Sequence, residues 1–141
     1  MNFLLVLLYV SLSFSPSKQG VEGTVRELKG NQMGIEKSSR EKGQPFVGKI
    51  YIYQSLRAIH LDGIEGQWCK SVQQKPFKII QTNNKGAFKQ ALPPGKYFLL
   101  VAAYDGYYIP SFDQFNQPSS ILVKSGQYIP INILVNSKAI Y

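Results

Sequence analysis

No window of this chain carries apolar residues at helical spacing. What recurs is a short run rich in β-branched and aromatic residues, closed by glycine, proline or asparagine, and that rhythm confines the chain to an all-β fold. Seven runs are predicted as strands. Residues 21–28 alternate around Val21, Gly23 and Val25; residues 47–53 place Val47, Lys49, Tyr51 and Tyr53 on one face and Gly48, Ile50 and Ile52 on the other. Residues 77–82 and 87–92 flank Asn83-Asn84-Lys85-Gly86, a tight turn of residues that tolerate positive φ, and read as a hairpin. Pro93-Pro94-Gly95 leads into residues 97–103, YFLLVAA, whose nearly continuous apolarity expects cover on both faces. Residues 120–124 and 128–135 complete the series around Ser125-Gly126-Gln127. Turns this short predict antiparallel neighbours, and two packed sheets are the natural closure, so the expected fold is a seven-stranded antiparallel β-sandwich. Between the runs lie a polar, glycine-rich loop (29–45), a connection (54–75) where Leu56, Ile59 and Ile64 are spaced for a helical turn but Gly63 and Gly66 argue for irregular chain, and an aromatic-rich loop (105–118).

The first residues do not belong to this rhythm. FLLVLLYVSLSF, residues 3–14, is an apolar run too short for a membrane span, which needs roughly 20 residues, but suited to the h-region of a signal peptide. Ser15 and Ser17 supply small residues at −3 and −1 of a cut after Ser17; a cut after Ser15 would leave Pro16 at +1. The expectation is therefore a signal peptide at 1–17 and one exported domain at 18–141, with no transmembrane segment after cleavage and no cysteine near the cut for a lipid anchor. Its place would be the periplasm, the cell surface or the extracellular space. A domain of this size expects one hydrophobic core.

Composition narrows the chemistry. One cysteine, Cys69, excludes an internal disulfide framework and any multi-cysteine metal site; one histidine, His60, excludes multi-histidine sites, so no metal and no cofactor are expected. Sixteen Lys+Arg against eight Asp+Glu give a net charge of +8. Lys70, Lys75, Lys78, Lys85, Lys89 and Lys96 lie in a stretch without an acid. Such a field favours an anionic partner, or else forms solvated outer faces that keep strand edges from pairing with other chains. Export argues against nucleic acid, and arginine, the better anion fork, is confined to Arg26, Arg40 and Arg57.

Residues 82–97, TNNKGAFKQALPPGKY, carry a specific pattern: Thr82-Asn83, Gly86, Phe88, then Leu92-Pro93-Pro94-Gly95 and Tyr97. It resembles the hairpin of carboxypeptidase regulatory-like domains, the transthyretin-like (prealbumin-like) sandwich. Gly20-Val21-Glu22-Gly23-Thr24-Val25 resembles that family's opening strand, and residues 47–53 stand where its second strand usually lies. The resemblance covers roughly residues 20–135 and is similar in particular to small single-domain members secreted by bacteria. It implies a Greek-key sandwich with Phe88 and Leu92 pointing inward. Because these are folding residues, it says little about activity.

The enzymes that use related domains need groups this chain lacks. A metallocarboxypeptidase catalytic domain requires a His-x-x-Glu motif and a further histidine, and the hydroxyisourate hydrolases use two histidines and a C-terminal Tyr-Arg-Gly-Ser. This chain has one histidine and ends Ser137-Lys138-Ala139-Ile140-Tyr141. The buried acid that promotes isopeptide bonds in collagen-adhesin domains has no counterpart in residues 97–103. His60 reads as a loop residue and Cys69 as a buried structural thiol rather than a nucleophile and its base. No catalytic residue is therefore expected. The functional candidates are aromatic: Tyr104, Tyr107, Tyr108, Phe112 and Phe115. They would either cap the open end of the sandwich or form a sugar-stacking platform on a loop held still by the scaffold. The reading is a non-catalytic secreted or envelope accessory domain that binds an envelope protein or a glycan, with a carbohydrate-binding module using loop 104–115 as the alternative.

Overall fold

Strand alternation decides the layering. The computed structural model describes residues 18–28 and 43–136; the expected signal peptide (1–17) and most of the expected loop at 29–45 lie outside the described residues. Twelve strands form among the described residues: β1 (Gly20–Leu28), β2 (Gln44–Pro45), β3 (Lys49–Tyr53), β4 (Leu61–Asp62), β5 (Trp68–Cys69), β6 (Ser71–Val72), β7 (Lys78–Gln81), β8 (Ala87–Ala91), β9 (Gly95–Ala103), β10 (Gly106–Tyr108), β11 (Ile121–Val123) and β12 (Tyr128–Asn136). All seven expected runs correspond to strands, and the other five are segments of two or three residues. The fold is all-β and consistent with a β-sandwich.

The first sheet is built on β1. It pairs with β12 along its whole length on one side, and on the other with β8 over Gly20–Thr24 and with β2 at Arg26 and Glu27. The second sheet runs β5-β10-β9-β3-β7, with β11 beside the start of β9. β4 and β6 form a separate two-stranded ribbon.

Two expectations about pairing are corrected. The β1/β12 pair is parallel, from Gly20 opposite Tyr128 to Leu28 opposite Asn136, so the sandwich is not purely antiparallel. Short turns constrain only consecutive strands, and no turn joins these two. The strands around Asn83–Gly86 are not a hairpin either, since β7 pairs with β3 and β8 with β1. The turn is as tight as expected: Gly86 N–H donates to Asn83 O at 2.9 Å, and Asn83 Oδ1 accepts from Lys85 N and Ala87 N. Its two ends, however, are tied to different sheets. Thr82 N–H donates to Gly48 O at 2.9 Å, while Val25 N–H donates to Gly86 O at 2.7 Å. Gly86 has φ +76°, and a Cβ there would lie 2.4 Å from Val25 O, so only glycine lets β1 approach the turn this closely.

Between the sheets lies a core that includes Val21, Val25, Ile50, Ile52, Leu99 and Val101, with Phe88 and Leu92 pointing inward as expected. Tyr97 is buried there and its hydroxyl donates to Pro93 O at 2.6 Å, a tyrosine corner that fastens the start of β9 to the preceding turn. The expectation of a single core is corrected. β3 and β9 are apolar on both faces, and a second cluster (Tyr53, Leu56, Leu61, Cys69, Leu100 and Ile109) covers the far face of the second sheet. Its cover comes from the expected irregular connection, which forms a 3-10 turn at Ala58–His60 and the strands β4 to β6. In that turn region Leu56 is buried, while Ile59 and Ile64 are exposed.

Candidate functional site

β9 and β10 pair with Ala103 opposite Gly106, which leaves Tyr104-Asp105 as a two-residue turn. The expected loop at 105–118 is corrected accordingly: Tyr107 and Tyr108 belong to a strand, because the turn folds the chain straight back onto β9. Tyr104 takes φ +55°. This is the first central position of the turn, where a positive φ ordinarily calls for glycine, and for a bulky side chain it is a genuine outlier.

What holds Tyr104 there comes from the other sheet. On β1, Val21, Val25 and Glu27 share one face, so the Glu27 side chain enters the mouth between the sheets, where it is 7% exposed. The Tyr104 hydroxyl donates to Glu27 Oε2. Tyr104 as a residue is 68% exposed, and its ring lies 6.0 Å from the Trp68 ring, which in turn meets the Tyr108 ring edge-on at 5.2 Å. Tyr104 is thus an outward-facing ring anchored at its hydroxyl.

Beside it opens a groove of about 460 Å³ walled by Lys49, Lys70, Gln81, Tyr104, Asp105 and Tyr107. Its other lining residues are small: Gly48, Ala102, Ala103 and Gly106. Gly106 is needed for another reason, since a Cβ would lie 2.3 Å from Cys69 O and force β5 away from β10. The Tyr107 ring is fixed edge-on against Tyr51 at 5.2 Å, and burial beside Tyr51 raises its pKa. The stem of Lys70 lies across Gly63 (φ +68°), where a Cβ would come within 2.9 Å of Lys70 Cγ.

The five aromatic candidates do not form one platform. Tyr104 and Tyr107 share the groove; Tyr108 is 4% exposed and packs between the sheets, with its pKa raised by burial. Phe112 packs partly against the second cluster and bridges to Pro118, while Phe115 is 71% exposed and apart from the groove lining. His60 has a local task, since its Nδ1 accepts Arg57 N–H at 3.0 Å and caps the 3-10 turn. Cys69 is buried, and burial, with a smaller contribution from the Asp62 charge, pushes its thiol up to about 11, so it is protonated at neutral pH. Sequence reasoning missed Glu27, Lys49, Gln81 and Asp105 as site residues. For Glu27 a signal existed: a carboxylate at the inward parity of an alternating strand.

Among the described residues no cluster of three or more His, Cys, Asp or Glu is placed to hold a metal ion, and no helix is long and apolar enough to cross a membrane. Comparison of the chain with protein-family models, with curated proteins and with solved structures finds no match.

Proposed function

We propose that this chain is a non-catalytic accessory domain of an exported or envelope system, and that it acts by binding through the groove at the β9–β10 turn. One observation carries the reading. An exposed ring, Tyr104, is held in a strained backbone conformation by a buried carboxylate from the opposite sheet, at the wall of an open groove. Strain of this kind persists only where the surroundings over-determine it, and it concentrates at binding and active sites. The non-catalytic part rests on His60, whose Nδ1 is engaged in a cap, and on Cys69, whose thiol is buried and protonated. The transthyretin-like Greek key belongs to the same proposal; it is supported by the 82–97 pattern and by the crossings between sheets on either side of β8. The aromatic loop 104–115 as a glycan site is the second reading, favoured in the narrower form that Tyr104 and Tyr107 line one groove.

Two measurements test the proposal. Secreted material from a bacterial host should begin at or near Lys18, and retention of Met1 on it would refute a cleaved signal peptide at 1–17. In ¹⁵N spectra of the secreted chain, ligand titrations should move the amides of Gly48, Lys49, Asp105 and Gly106 together and saturably. Shifts confined to residues away from the groove would refute the site.

A further inference from the structure

We propose that the groove takes a saccharide bearing a carboxylate, an acidic glycan of the uronic-acid type; this rests on the reading of the groove as the binding site. The volume, about 460 Å³, lies within the roughly 300–1,000 Å³ usual for small-ligand sites. Of its two tyrosines, Tyr107 is fixed against Tyr51 before any ligand arrives, so its ring loses no rotamer freedom on binding, while the Tyr104 ring lies beside Trp68 with its hydroxyl on Glu27 and fixes the turn at the rim. A sugar ring presents an apolar C–H face to the Tyr107 wall and a rim of hydroxyls to the Asp105 carboxylate and the Gln81 amide, which accept and donate hydrogen bonds.

Charge selects the kind of sugar. Lys49 reaches the groove from β3, opposite Gln81 in the β3/β7 register, and Lys70 from beyond β5, so the two ammonium groups come from different segments. Neither forms an ion pair among the described residues, whereas Lys89 pairs with Glu22 at 3.9 Å. Among the lining residues two ammonium groups face one carboxylate, Asp105; the Glu27 carboxylate lies outside the lining, between the sheets, and is engaged by the Tyr104 hydroxyl. The lining contains no arginine fork, the geometry that recognises phosphate oxygens in pairs, and point-charge lysines suit a single carboxylate on a larger polar ligand.

The probe is an oligogalacturonate, compared with its fully methyl-esterified form, which keeps the rings and removes the charge, and with inorganic phosphate. Titrations use the secreted full chain followed by ¹⁵N shifts and calorimetry. The acid form should bind at the groove amides with an affinity that falls as salt rises, and the ester roughly tenfold or more weaker. Lys49→Met and Lys70→Met, both at exposed side chains, should each weaken the acid form by roughly tenfold with unchanged melting temperature, and Lys124→Met, exposed just past β11 beside the start of β9 and so at the other end of that strand from the groove, should change nothing. Equal binding of acid and ester at the groove would overturn the acidic-glycan assignment and leave the binding groove standing. Phosphate binding as tightly as the oligogalacturonate would overturn it too, reducing the site to a simple anion trap. Silence of the groove amides toward every probe would overturn both.

Discussion

Replacing Tyr104 by Phe removes one oxygen and leaves the ring, the positive φ and the groove wall in place. The hydroxyl donates to a carboxylate that is 7% exposed between two sheets, so the change leaves Glu27 with a lost donor rather than with bulk water. A hydrogen bond to a charged group contributes roughly 1.5–3 kcal/mol, and a buried acceptor left without its donor adds a desolvation cost. Glu27 lies one residue from the end of β1, where water entering at the mouth recovers part of that cost, so the lower end applies: about 1.5–2 kcal/mol. With an unfolding entropy of about 2.1 cal/mol/K per residue over the described chain, Tm should drop by about 7–9 °C. Calorimetric melts of wild type, Tyr104→Phe, Glu27→Gln and the double variant form a thermodynamic cycle. The coupling between the two positions should be at least about 1 kcal/mol, beyond the ~0.3–0.5 kcal/mol scatter of independent sites. A Tyr104→Phe protein melting within about 1 °C of wild type, with additive single effects, would show that the hydroxyl is not anchored and that nothing from β1 offsets the strained turn.

Three further outcomes follow from the packing and from Cys69. Leu100→Ala, in the outer cluster, should cost about 3–4 kcal/mol in urea denaturation, while Leu122→Ala at a half-exposed position should cost less than about 1; equal costs would refute the second apolar layer. Tyr108→Ala should destabilise by about 3–5 kcal/mol and Phe115→Ala by less than about 0.5, and a large effect at Phe115 would place that ring in the core after all. The Cys69 thiol titrates near 11 when folded against an ordinary 9.0, so on raising the pH the unfolded chain releases its proton first. Stability from this group is complete below about pH 9 and falls by about 2–3 kcal/mol by pH 11; Cys69→Ala should flatten that part of the stability curve, and parallel curves would refute the burial of the thiol.

The strands were legible because their signals are local. β-branched alternation, Asn83–Gly86 and Pro93-Pro94-Gly95 act within a few residues, and each of the seven expected runs coincides with a strand. Partners were not legible, since a period of two reports which face a side chain takes and not which strand lies beside it. That is why β7 and β8 read as a hairpin although Thr82 and Gly86 bind different sheets. The outer layer was hidden for a related reason: residues 54–75 are ordered by covering Leu100 and Tyr53, not by any pattern of their own. Within the site, two of the five aromatic candidates, Tyr104 and Tyr107, reach the groove. The polar residues beside them come from β3, β7 and the segment after β5, brought together only by the second sheet.

The position of the groove follows from β9. Its first residues pair with β11 and its last with β10, β3 lies along the other edge, and Leu99 and Leu100 face opposite cores. A strand enclosed in this way exposes little except the turn at its end, and the groove we propose as the site lies where β9 turns into β10. At that turn two local rules are broken together: a tyrosine occupies a glycine conformation, and a carboxylate enters a hydrophobic interior. Either departure alone is destabilising, and each is the other's compensation, because the hydroxyl that satisfies Glu27 is also what ties down the strained residue. A mutual arrangement of this kind adds nothing to the strand pairing that a glycine at 104 and an apolar residue at 27 would not supply with less strain. What it adds is a fixed, exposed ring at the turn beside the lysines of the groove, and that is the ground on which we propose a ligand there.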